Sequence, residues 1–374
     1  MTRVPLSVLD LAPISAGSST AQALRNSLDL ARQTEEWGYE RYWVAEHHFV
    51  AAASSAPAVL VGLIAAATNR IRVGSAAVQL GYTTAAAVVE SFGTVDALYP
   101  GRIDLGVGRS GRRRADALVG AEAHDRTDSA RTVEGVLFPA PFSQAALLES
   151  PRLAASLGAV RQSHAQSPDF AEQLDDITAM LSGTYERDGV SLTACPGAGA
   201  EVELWLFGSS AGVSAREAGR RGLPFVANYH VSPGTTLDAA QEYRDAFVPS
   251  ATLSAPYLAV SADVVVADTD SDARELAASF PQWVHSIRSG HGAIEFPDPK
   301  TVGTLTDEQY RLVADRVETQ FVGSAATVSD RLIGLQKATG ADELVVTTVT
   351  HDHADRLNSY ELLGREWGLP RLRV

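Results

Sequence analysis

The chain has 374 residues, 45% hydrophobic and 20% charged, which excludes a disordered polypeptide and supplies enough apolar surface for a large core. Its formal net charge of -14 argues against a general binder of nucleic acid or anionic membrane, because that affinity rests on Lys and Arg at phosphates. A lone cysteine, Cys195, excludes an intramolecular disulfide and a multi-cysteine zinc site, and is expected as a structural thiol near a turn.

The N-terminus runs into strand-like sequence with no signal-peptide core, and no apolar segment reaches the ~20 residues that span a bilayer; the expected location is cytoplasmic. Eight short apolar, β-branched runs then alternate with longer segments of helical period. They are Leu6 to Leu11, Arg41 to Ala45, Ile71 to Val78, Arg102 to Val107, Glu203 to Phe207, Leu223 to Ala227, Leu258 to Ala267 and Glu343 to Val349. Such alternation implies crossover units on a parallel sheet, and the number of runs fits a closed (β/α)8 TIM barrel, one α/β domain spanning residues 1–374.

Between the first two runs, Thr20 is placed to cap a helix whose Leu24, Leu28 and Ala31 share one face, with Gly38 after Trp37 as its stop. Val88, Phe92 and Val95 form a second stripe, ended by Tyr99-Pro100-Gly101. Two connections are too long for plain barrel units: about 138–199 after the fourth strand and about 289–341 after the seventh. Phe170 to Leu181 and Asp307 to Gln320 within them read as helices, and Ser289 to Gly292 and Phe296 to Pro299 as loops. Long insertions on barrels are commonly lids or binding loops.

Functional residues of a barrel lie at the carboxyl ends of its strands, and Glu46-His47-His48-Phe49 follows the second run there. A lone histidine at such a place is more often a hydrogen-bonded structural residue than a catalyst. Adjacent histidines on extended backbone point to opposite faces, which disfavours a shared metal and leaves one of them facing the barrel axis. After the fifth run, Gly208-Ser209-Ser210-Ala211-Gly212 leads into a helix near Val213; its amides, hydroxyls and helix dipole suit a phosphate monoester, or the serines simply cap the helix. Arg109 after the fourth run is a cation from the same mouth, Arg131 a second one expected on the next helix, and Arg112-Arg113-Arg114 a weaker candidate. Tyr82, His230 and His351 are candidate pocket residues. His351 and His353 have a spacing that could ligate a metal, but without a third ligand a pocket or helix-capping role is preferred.

Three stretches taken together carry a resemblance: Trp43-Val44-Ala45-Glu46-His47-His48-Phe49, Val73-Gly74-Ser75-Ala76-Ala77-Val78 and Pro100-Gly101-Arg102-Ile103-Asp104-Leu105-Gly106-Val107-Gly108-Arg109. Their order, with Val322-Gly323-Ser324 and the Asp342 to Arg356 tail, resembles the bacterial luciferase-like flavin-dependent monooxygenases. The resemblance implies a barrel that takes reduced FMN from a separate flavin reductase and, through a flavin hydroperoxide formed with O2, oxygenates a small organic substrate. It implies His47 as the catalytic histidine and general acid/base, supported by Glu46 and His48. Ser75, Ala76 and Ala77 would support the flavin ring, with a cis peptide at Ala76-Ala77. Arg109, Arg131, Gly208, Ser209, Ser210 and Ala211 would hold the phosphate, and no metal is implied. Gly108 stands where the luciferase catalytic subunit has a reactive cysteine, so thiol effects are not expected. A homodimer is the expected assembly. A deazaflavin-dependent hydride-transfer enzyme and a flavin-binding protein without turnover are the alternatives.

Overall fold

A computed structural model describes residues 3–109, 129–143, 147, 149–160 and 169–372. Eight strands form the ring: β1 (Leu6–Asp10), β2 (Arg41–Val44), β3 (Arg72–Ser75), β4 (Ile103–Gly108), β5 (Glu203–Gly208), β6 (Phe225–Ala227), β7 (Leu258–Ala267) and β8 (Glu343–Thr347). Each pairs in parallel with its sequence neighbours, and β8 returns to β1 with Leu6 opposite Leu344, so the sheet closes without an edge. This is the expected (β/α)8 barrel.

Around it stand α1 (Thr20–Glu36), α2 (Pro57–Ala67), α3 (Ala85–Leu98), α4 (Pro151–Val160), α5 (Phe170–Leu181), α6 (Val213–Arg220), α7 (Thr236–Asp245), α8 (Asp270–Leu276), α9 (Phe280–Arg288), α10 (Asp307–Arg311), α11 (Ala314–Val317), α12 (Ala325–Thr339) and α13 (His353–Trp367). Among the described residues, no helix is long and apolar enough to cross a membrane.

Several boundaries differ from the sequence-based expectation, each for a local reason. The cap of α1 is Ser19, whose hydroxyl accepts from the Gln22 amide at 3.2 Å; Thr20 is already helical. The third run does not continue to Val78: it breaks at a cis Ala76–Ala77 peptide, and Val78–Gln79 form a separate short strand on β4. The Val322-Gly323-Ser324 turn is a strand, Phe321–Ser324, paired with the far half of the long β7, and Ser324 then caps α12. Asp307 to Gln320 divides into α10 and α11 at Leu312 and Val313. Arg131, expected on a helix, begins a hairpin of Arg131–Val133 with Val136–Phe138, whose Glu134-Gly135 turn has positive φ at both residues. Cys195 is exposed, preceding a cis proline.

Side chains of each strand alternate between two cores. On β5, Leu204 and Leu206 join the large cluster under the helices, whereas Trp205 and Phe207 point into the barrel with Trp43 of β2. The Trp43 ring meets Trp205 and Phe207 edge-on at 5.4 and 5.3 Å. Room for these rings comes from Gly106 on β4, where a Cβ would lie 1.9 Å from the Ser75 carbonyl and 2.5 Å from Phe207.

The amino-terminal mouth is sealed by charge. Buried Arg41 contacts Asp104 at 2.6 Å, Glu203 at 3.1 Å and Glu343 at 3.4 Å, and its guanidinium lies over Trp205. Arg72 also holds Asp104, and Ser7 and Tyr257 donate to Glu343. With this end plugged, the opposite mouth is left for ligands.

Candidate active site

At the carboxyl ends of the strands lies a cavity of about 570 Å³, within the usual size for a small-molecule or cofactor pocket. Its walls come from the β2 loop, the Ala76–Ala77 break, the ends of β4 to β6 and both long connections.

Beyond Val44 the β2 chain turns along the mouth, held by the Ala45 amide on Asp10 O (3.0 Å) and the His47 amide on Ser54 O (3.2 Å). One Glu46 oxygen lies 2.7 Å from His48 Nε2; the other accepts from the Gln79 amide at 2.9 Å, and the Gln79 side chain returns to Glu46 O at 2.8 Å. Glu46 thus ties the histidine pair to the segment after the Ala76–Ala77 break. His47 and His48 both line the cavity, contrary to the picture of one facing in, because the backbone has left extended strand geometry at Val44.

His47 Nδ1 is buried with no hydrogen-bond partner among the described residues. Burial, and then the nearby His48, push its pKa down to about 4. At neutral pH its imidazole is therefore uncharged and can accept a proton. Of the acid/base role that the resemblance implies, a ring in this state suits the base at neutral pH and not the acid. His230, after β6, also lines the cavity, with Nδ1 2.5 Å from Ser261 Oγ. Burial, Arg316 and His47 hold it down at about 3.

A second group forms beside them. Because β4 and β5 are neighbours with Gly108 opposite Phe207, the residues that follow, Arg109 and the Gly208-Ser209-Ser210-Ala211-Gly212 turn, emerge side by side into the cavity wall. Gly212, at φ 153, precedes α6 without a side-chain cap, so the first amides of α6 are not consumed by one. Thr235 pins the turn by donating to Ser209 O. Arginine, hydroxyls and helix amides in this arrangement are groups that could hold a phosphate. Ala76, Ala77 and Gly108, all with minimal side chains, line the same wall and leave space for a flat ring.

Other expected residues stand elsewhere. Ser75 is buried below the wall, its hydroxyl on Gly106 O at 2.9 Å. Tyr82 meets the far side of His48, ring centroids 6.4 Å apart. His351 Nε2 sits 3.0 Å from Ala16 O, and His353 pairs with Asp29 at 3.1 Å. Arg131 faces Asp238 at 3.5 Å from its hairpin. None of these five lines the cavity. Arg112-Arg113-Arg114 lies outside the described residues.

Sequence reasoning passed over Gln79, Arg152, Trp283, Ile287 and Arg316, which do line it. One signal for Arg316 was present: Asp263 interrupts the apolar β7 run, and a buried carboxylate requires a partner. Arg316 is that partner, at 3.0 Å.

Arg109, the Gly208–Gly212 turn, a small-residue wall and a histidine pair thus gather at one mouth of a closed parallel barrel, the end at which barrel enzymes carry their active sites. The chain belongs to the luciferase-like monooxygenase family, whose model matches residues 4–136 and 158–343. It is 37% identical to YvbT of Bacillus subtilis over 366 residues, covering 97% of this chain and 96% of that protein. It is 34% identical to a luciferase-like monooxygenase of Escherichia coli K12 over 362 residues, 96% of each chain. The solved structure of apo-MsnO8 superposes with a TM-score of 0.77 at 32% identity, covering 99% of both chains.

Proposed function

We propose that the protein is a monooxygenase that uses reduced FMN and O2 to oxygenate a small organic substrate, with the flavin delivered by a separate reductase. The observation that carries this reading is the meeting, on adjacent strands, of Arg109 with the Gly208–Gly212 turn at one wall of the cavity that His47 enters. Arg109, Ser209, Ser210 and the first amides of α6 would bind the FMN phosphate. Ala76, Ala77 and Gly108 would lie against the ring. When bound, reduced FMN supplies the two electrons by which O2 gives one oxygen atom to the substrate and the other to water. His47, uncharged at neutral pH, would accept a proton close to the reacting centre. Glu46 and Gln79 would fix the loop that carries it. Both long connections contribute to the wall and would exclude water, which protects reactive oxygen chemistry from loss to solvent.

The test is Arg109→Ala, titrated with FMN and with riboflavin. FMN should bind about 10- to 100-fold more weakly, the effect of a lost charge-assisted contact, while riboflavin, lacking phosphate, should change by less than about threefold. Parallel losses would place the phosphate elsewhere, and preference for a deazaflavin coenzyme by the wild type would overturn the cofactor.

A further inference from the structure

Arg316, on α11 in the connection between β7 and β8, reaches the cavity wall while only 7% exposed. A guanidinium carries a fork of N–H donors. Asp263 accepts from Nη2 at 3.0 Å, whereas Nε is buried with no partner among the described residues. Arg288, on α9, is not in the cavity wall: Asp315 accepts from Nη2 at 2.8 Å, the guanidinium lies over the Phe142 ring, and Nη1 is buried without a hydrogen-bond partner among the described residues. The two guanidiniums lie near enough for Arg316 to disfavour the charge on Arg288. Nearby acids are already engaged, Asp263 and Asp315 by these arginines and Glu46 by His48 and Gln79. His230 adds no compensating charge. The adjoining wall is apolar, built by Trp283 and Ile287 of α9 and Val50 of the β2 loop.

Idle donors on a buried guanidinium are costly unless an acceptor takes them up. A carboxylate matches the fork geometry of arginine better than a neutral group does. We propose that Arg316 is a substrate-carboxylate subsite, so that the substrate class is amphiphilic carboxylic acids whose apolar portion lies against Trp283 and Ile287. This rests on the reading of the cavity as a flavin monooxygenase site. Arg288 stands behind it as a second positive charge.

Octanoate and octanamide, alike in size and different in charge, serve as probes, with binding followed by calorimetry and by Trp fluorescence, with and without FMN. The wild type should bind octanoate at least about tenfold more tightly than octanamide. Arg316→Gln should abolish that preference. So should the double variant Arg316→Gln/Asp263→Asn, which removes both buried charges together and leaves neither stranded; circular dichroism checks its fold. Arg316→Lys should keep part of the preference, and FMN affinity should stay within about twofold throughout. Equal binding of the two probes by the wild type, a preference that survives in the variants, or a parallel loss of FMN affinity would overturn the proposal. FMN titration of the wild type bears on the cofactor reading alone, and the probe preference measured without flavin stands or falls separately.

Discussion

His47 and His230 face one cavity as neutral rings, and the cause is burial reinforced by their neighbours. In an unfolded chain both would titrate near 6.5. With folded values of about 4 and about 3, the unfolded state binds protons first as pH falls, so this contribution to stability is complete above about pH 6.5 and is lost progressively toward pH 4 and below. His47→Asn should flatten the acid limb of a stability-versus-pH curve between about pH 6.5 and 4.5 by up to about 1.4 kcal/mol per pH unit, one proton's worth. Urea unfolding at a series of pH values measures it, and an unchanged slope would mean that the ring is already solvated. The position of His47 at the carboxyl end of β2 was legible in sequence. Its protonation state was not, because it depends on burial, which tertiary packing sets and a local stretch of sequence does not show.

Strands come through a sequence because an apolar β-branched run has few other homes, and all eight barrel strands fall within the runs that predicted them or within one residue of their ends. The end of the third was misread from pattern alone, since Ser75-Ala76-Ala77-Val78 keeps an unbroken extended pattern; the cis Ala76–Ala77 peptide that ends it was expected from the family resemblance and is present. The Arg131 hairpin is a different kind of miss: β-branched residues on either side of Glu134-Gly135 carried the signal, and helix was read instead. At Gly106 the close approach of β3 and β4 leaves no space for a methyl group. Gly106→Ala should destabilise by about 1 to 3 kcal/mol, the usual cost of overpacking, because the obstructing atom is the Ser75 backbone carbonyl and cannot rotate away. The unfolding midpoint in guanidinium reports it; a midpoint equal to wild type would show that the two strands can spread.

Over the whole molecule, the barrel has one charged, sealed end and one open end. The seal depends on Arg41, the cation shared by Asp104, Glu203 and Glu343. Arg41→Met would leave fully buried Glu343 with no cation among the described residues and fully buried Asp104 with Arg72 alone, and should cost about 3 to 5 kcal/mol at neutral pH. Differential scanning calorimetry should show a lowered unfolding temperature, and a loss within error of zero would mean that water enters the plug. The barrel, and the positions of the Gly208–Gly212 turn after β5 and of the histidine pair after β2 at its mouth, were legible in the amino-acid order, because each is written in a short contiguous stretch. The rest of the cavity wall was hidden, because residues such as Arg152, Trp283 and Arg316 reach it only through tertiary folding.

Those two connections leave and re-enter the barrel without passing through the strand pairings that close it. The registers of β1 to β8 are fixed by backbone pairing, whereas Arg152 and Arg316 reach the cavity wall from segments outside those registers. Side chains on those segments can therefore be exchanged to reshape the cavity wall without touching a backbone pairing that closes the barrel.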